Sequence, residues 1–128
     1  MIYIDTSVAL AALFAEARVP AAGFWNEPLV SSRLFQFEMM TRIHAHKLGA
    51  AYLRAANDMM ARVEFIEMTQ DNLTRALDPF PVPVRTLDGL HLATMHYLRS
   101  RGQTLHLASY DQRIIAAAQA LGFPLAGM

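Results

Sequence analysis

Ile2, Tyr3 and Ile4 are β-branched or aromatic, and they run straight into a carboxylate, Asp5. Such a triplet suits a short strand buried on both faces of a sheet. Thr6, Ser7 and the apolar run Val8 to Phe14 follow at once, so the strand is expected to stop at Asp5 and a helix to start there. In open parallel α/β sheets the carboxyl edge of the strands is where ligands bind, because strand ends and helix N-termini converge there. Asp5 would sit on that edge. Taken alone it is explained at least as well as a helix N-cap. Its meaning depends on whether other acids reach the same edge.

The chain has 128 residues, enough for one compact domain with a real core and too few for two ordinary ones. With 54% hydrophobic and 17% charged residues it reads as globular rather than disordered. The absence of cysteine removes disulfides, thiolate zinc sites and cysteine nucleophiles together. No basic segment precedes a long apolar core and no apolar run approaches a membrane span, so a soluble cytoplasmic protein with no membrane association is expected. Eleven basic residues balance eleven acidic ones, so net charge encodes no strong nonspecific grip on nucleic acid.

Pro20 is placed to open a short helix through Trp25, and Leu29-Val30 reads as a second strand, with Ser31 or Ser32 capping a helix from about Arg33 to Leu48. Gly49 is expected to close that helix, and Ala50 to Arg62 to form its partner in a helical hairpin. The hairpin carries Phe35, Phe37, Met39, Met40, Ile43, Leu48, Tyr52, Leu53, Met59 and Met60, and a two-sided core explains them more readily than a partner groove. Val63 to Met68 alternates apolar residues with Glu64 and Glu67, as an edge strand would. Thr69 caps a helix through about Leu77, and the three prolines between Asp78 and Pro83 impose a loop. A long helix over Thr86 to Arg101, a strand over Leu105 to Ala108, a helix over Arg113 to Leu121 closed by Gly122, and a short strand at Phe123 to Leu125 complete the chain.

Short apolar strands alternating with helices predict a parallel sheet covered on both faces. On that scaffold Asp5 and Asp111 each follow a strand, Glu38 lies about two turns into a helix after a strand, and Asp88 begins a helix after a loop. All four can reach one edge. Each also has an ordinary explanation: Asp5, Asp88 and Asp111 as N-caps, Glu38 as the partner of Arg42 one turn on. Together they are harder to explain, because like charges gathered in one site repel unless protonated or neutralised by a cation. Oxygen ligands without cysteine favour magnesium or manganese over zinc. Such an ion can orient and help ionise a water and neutralise charge building on a phosphate, which points to phosphodiester hydrolysis. The hydroxyls of Thr6, Ser7 and Ser109 stand beside acids and can orient water or the carboxylates.

Four blocks now carry a family resemblance: Ile4-Asp5-Thr6-Ser7-Val8, the Glu38 helix beginning Ser31-Ser32-Arg33-Leu34, Leu87-Asp88-Gly89-Leu90-His91-Leu92-Ala93-Thr94, and Ala108-Ser109-Tyr110-Asp111-Gln112-Arg113. In this order and over the whole chain, the sequence resembles the PIN-domain nucleases, and more narrowly the VapC-type toxins of bacterial and archaeal toxin–antitoxin pairs. The resemblance implies a three-layer α/β/α sandwich with a short parallel sheet, residues 1–128 forming a single PIN-like domain. It implies a Mg2+ or Mn2+ endoribonuclease site, an RNA product with a 5′ phosphate, a homodimer, and a VapB-type antitoxin that wraps the helical hairpin. By position, Asp5, Glu38, Asp88 and Asp111 would be the catalytic, metal-holding quartet, with Ser7 and Ser109 as polar support. Two positions depart mildly from the pattern: Ser109 stands where threonine is frequent, and Gly89 where alanine is.

The expected function is a metal-dependent endoribonuclease toxin restrained by a cognate antitoxin. The alternative is a PIN-like module that docks RNA or protein without cutting. Four anionic residues facing a polyanion argue against mere docking. A phosphoacceptor receiver ranks last, since Thr6 rather than a second acid follows Asp5 and Lys47 is the only lysine. His91, one turn after Asp88, is read as a packing residue in preference to a ligand or proton carrier. His44 and His46 fall on different helix faces. Arg33, Arg42, Arg85 and Arg113 are near the acidic blocks in sequence and serve equally as RNA contacts or solvated positions.

Overall fold

The computed structural model describes residues 1–47 and 49–128. Among the described residues, four strands form one all-parallel sheet in the order β3-β2-β1-β4: β1 Ile2–Ile4, β2 Leu29–Ser32, β3 Val63–Ile66 and β4 His106–Ala108. The helices between them are α1 Thr6–Leu13, α2 Leu34–Ala45, α3 Ala50–Met60, α4 Gln70–Leu73, α5 Thr86–Ser100 and α6 Gln112–Ala120.

The period of two along the strands divides the core over two faces. Ile4, Leu29 and Ala108 pack with Val8, Leu13, Phe35, Met39 and Met60 from α1, α2 and α3. Tyr3, Val30 and Leu107 pack with Leu92, Met95, Ile114 and Ala117 from α5 and α6. The result is the expected three-layer sandwich. From β1 the chain moves outward through β2 to β3, then returns past β1 to place β4 on its other side. The order reverses at β1, which makes the carboxyl end of β1 the topological switch point of the sheet.

Several local expectations are corrected. The segment after Pro20 is a 3₁₀ turn over Ala22–Asn26, because only Phe24 is buried there and Gly23 adds no apolar face to hold an α-helix. β2 runs on through Ser31 and Ser32, and Ser32 still caps from within the strand, its Oγ accepting from the Leu34 amide at 3.1 Å. α2 ends at Ala45, where Lys47 takes the left-handed conformation (φ 52°) and reverses the chain. Gly49 therefore opens α3 as its N-cap instead of closing α2, and the predicted helix end at Leu48 lies outside the described residues. Thr69 caps as expected, reciprocally with Asn72, but the helix tightens to 3₁₀ after Leu73. The last strand reduces to one bridge between Leu107 and Leu125.

β3 is an edge strand, as its charges suggested. The hairpin residues Phe35, Met39, Ile43 and Met60 are buried, and Met40, Leu53 and Met59 pack against the same core, so its apolar content is mostly structural. Phe37 and Tyr52 remain exposed.

Gly89, fourth in α5, needs no special backbone angle. A Cβ there would meet Phe80 Cε2 at 3.4 Å and Val84 Cγ2 at 3.8 Å, ordinary contact distances. Gly89→Ala is expected to stabilise the protein by about 0.5–1 kcal/mol by removing backbone freedom from the unfolded chain. The check is a higher denaturant midpoint at an unchanged m-value.

Candidate active site

The carboxyl edge of the sheet opens into a cavity of about 520 Å³ lined by Asp5, Thr6, Ser7, Glu38, Asp88 and Asp111, with Phe37 and Leu87 on its apolar wall and Arg42 also lining it. The four acids predicted from distant parts of the chain are thus brought to one place.

Asp5 leaves β1 as the N-cap of α1. Its Oδ2 accepts from the Ser7 amide at 3.4 Å, Ser7 Oγ at 2.6 Å and Ser109 Oγ at 2.9 Å. Capping and site membership are therefore not rivals, since one oxygen does the capping and the other is left over. Both serine hydroxyls thus donate to the same Asp5 oxygen. Ser7 Oγ accepts from the Tyr110 amide and Ser109 Oγ from the Asp111 amide, both at 3.0 Å, so the β4–α6 turn is sewn to the start of α1. Asp111 caps α6 in turn, Oδ1 accepting from the Arg113 amide at 2.9 Å.

Glu38 does not pair with Arg42. Its Oε1 accepts from Thr6 Oγ1 at 2.8 Å and from His91 Nε2 at 2.6 Å. Nor is His91 a mere packing residue: it is buried, and its Nδ1 lies 2.7 Å from the hydroxyl of Tyr3. Burial works against a charged imidazole there, but the hydrogen bond and charge of Glu38, with Asp5 and Asp88 beyond it, outweigh burial and hold the pKa above its usual value. Burial pushes the Tyr3 phenol far up, so the hydroxyl keeps its proton.

Asp88 is third in α5 and not its N-cap, a place taken by Arg85 without a side-chain bond. Its Oδ2 is buried and, among the described residues, has no hydrogen-bond partner. Burial first, then the charges of Asp111 and Asp5, raise its carboxyl pKa against the pull of the Arg85 amide and the Arg113 guanidinium.

This donor set fits a hard divalent ion: carboxylates and hydroxyls only, with one buried oxygen orphaned beside like charges. Among the described residues no three His, Asp or Glu side chains stand together at ion-holding spacing.

Of the arginines, Arg42 faces the cavity, whereas Arg33 is held by Glu67 at 2.9 Å and lies 4.7 Å from the centre of the Phe65 ring. Sequence reasoning missed Tyr3 as a member of this assembly. The available signal was that a tyrosine central to a strand buried on both faces needs a partner for its hydroxyl. His91, one helical turn beyond Asp88, was the candidate in reach.

Residues 2–120 match the PIN domain family. The chain is 30% identical over 127 residues to Ribonuclease VapC35 of Mycobacterium tuberculosis, strains H37Rv and CDC 1551 / Oshkosh, covering 94% of this chain and 92% of that protein. It is 30% identical over 125 residues to Ribonuclease VapC46 of M. tuberculosis H37Rv, again covering 94% and 92%. A parallel sheet whose switch point gathers carboxylates, matched to that family from the first strand to the last helix, leads to one assignment: the chain belongs to the PIN-domain family, among its VapC-type ribonucleases.

Proposed function

We propose that the chain is a single-domain, divalent-metal-dependent endoribonuclease and the toxin of a toxin–antitoxin pair. The observation that carries this reading is Asp88 Oδ2, a buried carboxylate oxygen with no hydrogen-bond partner among the described residues, on a residue that lines a cavity with three other acids. Leaving such a group unsatisfied costs about 1–3 kcal/mol, a cost that binding a cation relieves. The relatives named as VapC ribonucleases support RNA as the substrate.

Asp5, Glu38, Asp88 and Asp111 would hold Mg2+ or Mn2+. When bound, such an ion supplies positive charge that eases ionisation of a water and offsets charge developing on the phosphate. The chain's own groups do the rest. Ser7, Ser109 and Thr6 hold one oxygen of Asp5 or Glu38 and leave the other toward the cavity. Arg42 lines the cavity as a cation that can meet a neighbouring phosphate. Phe37 is 60% exposed and Leu87 47%, apolar surface on which an unstacked base can rest. That favours a single strand over a duplex, whose bases are not available for stacking.

A cytoplasmic setting, a homodimer and a VapB-type antitoxin on the α2–α3 hairpin complete the proposal. Exposed Phe37 and Tyr52 on that hairpin offer apolar contacts for a partner, and no helix among the described residues is long and apolar enough to cross a membrane.

The test is cleavage of end-labelled RNAs by purified protein with Mg2+ or Mn2+ and with chelator. Endonucleolytic products that require the ion and carry 5′ phosphates are expected. Metal-independent RNA binding without cleavage would instead favour a docking module.

A further inference from the structure

The hydrogen bonds around Glu38 continue through the cavity wall into the core. The Ser32 amide donates to Tyr3 Oη at 3.1 Å, so the phenol's own proton is free for its other neighbour, His91 Nδ1, at 2.7 Å. With Nδ1 accepting, the neutral imidazole carries its proton on Nε2 and donates to Glu38 Oε1 at 2.6 Å. A charged imidazole carries that Nε2 proton as well, and its Nδ1–H then donates to Tyr3 Oη instead of accepting from it, so in both forms Nε2 points a donor at Glu38. The opposite neutral tautomer would set a lone pair against a carboxylate oxygen. Thr6 Oγ1 donates to the same Oε1, so both donors crowd one oxygen and Oε2 is left for the cavity.

We propose that Tyr3 and His91 are positioning residues for Glu38, a buried relay that anchors one carboxylate oxygen to β1 so that the other meets the metal in a fixed place. Glu38 lies on α2 in one helical layer, His91 on α5 in the other, and Tyr3 on the sheet between them. A glutamate on a half-exposed helix turn otherwise samples several rotamers, and ordering it on binding costs affinity. Tyr3 and His91 are 0% and 1% exposed, so their own places are set by packing before any ligand arrives. An apolar residue would fill the His91 space without the cost of burying an imidazole. What the imidazole adds is direction, through a donor aimed at one oxygen.

The inference rests on the metal-site reading proposed above, and the experiment separates the two. The full metal-free chain is titrated calorimetrically with Mn2+ alone, and RNA cleavage is followed in parallel at saturating Mn2+. The variants are Tyr3→Phe, His91→Leu, His91→Gln, Glu38→Gln, Asp5→Asn and the double variant His91→Leu/Glu38→Gln. Tyr3→Phe and His91→Leu are expected to weaken Mn2+ binding about tenfold, the usual scale for a group that orients a ligand from behind. His91→Gln should recover part of that loss, since its amide can donate to Oε1. On the Glu38→Gln background His91→Leu should add little, because its effect passes through Glu38. Tyr3→Phe keeps the ring in place and serves as the test even if His91→Leu fails to fold. Wild-type Mn2+ affinity in Tyr3→Phe and His91→Leu alongside a weakened Glu38→Gln would overturn the relay and leave the site reading standing. So would fully additive losses in the double variant, which would assign His91 to general stability. Wild-type affinity in both Glu38→Gln and Asp5→Asn would remove the metal-site reading, and the relay with it.

Discussion

Asp5→Asn is expected to reduce RNA cleavage by roughly a thousandfold, since an anionic ligand's share in metal-assisted charge stabilisation is several kcal/mol. It should leave folding nearly intact. The asparagine carbonyl can take over from Oδ2 as acceptor for Ser7 and Ser109, and asparagine is as good an N-cap as aspartate. What is lost is the negative charge and the second oxygen toward the cavity. Asp5→Ala makes the contrast. It loses the cap as well, at about 1 kcal/mol, and leaves two hydroxyls without their shared acceptor. Single-turnover cleavage at saturating metal, with the unfolding midpoint measured on the same samples, separates chemistry from stability. Cleavage by Asp5→Asn within tenfold of the parent would remove Asp5 from the mechanism.

Divalent cation should raise the unfolding temperature of the metal-free protein, and Asp88→Asn should blunt the rise. At a hundred times its Kd a ligand specific to the folded state adds about 2.7 kcal/mol, roughly 10 °C for a chain of this size. The same residue governs the pH response without metal. Burial and neighbouring carboxylates raise the folded-state pKa of Asp88 above its unfolded value. The proton is therefore held more tightly in the folded form, and its stabilising share is full below the unfolded pKa and lost as pH rises through the folded one. Asp88→Asn should accordingly gain unfolding temperature over the parent at neutral pH and lose that advantage in acid. Thermal scans at several pH values, with chelator and with Mn2+, check both signs. An equal cation-induced shift in parent and variant would place the ion elsewhere.

The layers and the meeting of the acids were legible because they follow from periodicity and topology. Ile2-Tyr3-Ile4 alternates between two faces, and a parallel sheet sends every strand's carboxyl end the same way, so Asp5 and Asp111 had to arrive together. Turn chemistry was legible where a residue has one dominant use, as with Thr69 and Gly122. It failed where tertiary structure chose between acceptable residues: Lys47 takes the left-handed turn although Gly49 stands two residues on.

Side-chain pairing at the site was the least legible. Arg42 lies one turn from Glu38 in sequence, yet His91, 53 residues away, holds the hydrogen bond. Spacing along a helix sees only partners on the same helix, whereas the two layers meet over the end of β1. The N-cap reading of Asp88 missed by three positions for a related reason: the loop through Pro83 delivers the chain to α5 with Arg85 already extended, and nothing in composition fixes where that approach ends.

Asp5 continues the ladder of the sheet, its amide donating to the Ala108 carbonyl at 2.9 Å beyond the Ile4–Ala108 pair. Displacing it requires parting the edge strand β4 from the central strand β1, an opening that breaks the sheet beside the site. Its amide hydrogen should be among the slowest to exchange with deuterium, and heat inactivation should coincide with loss of the whole fold instead of preceding it.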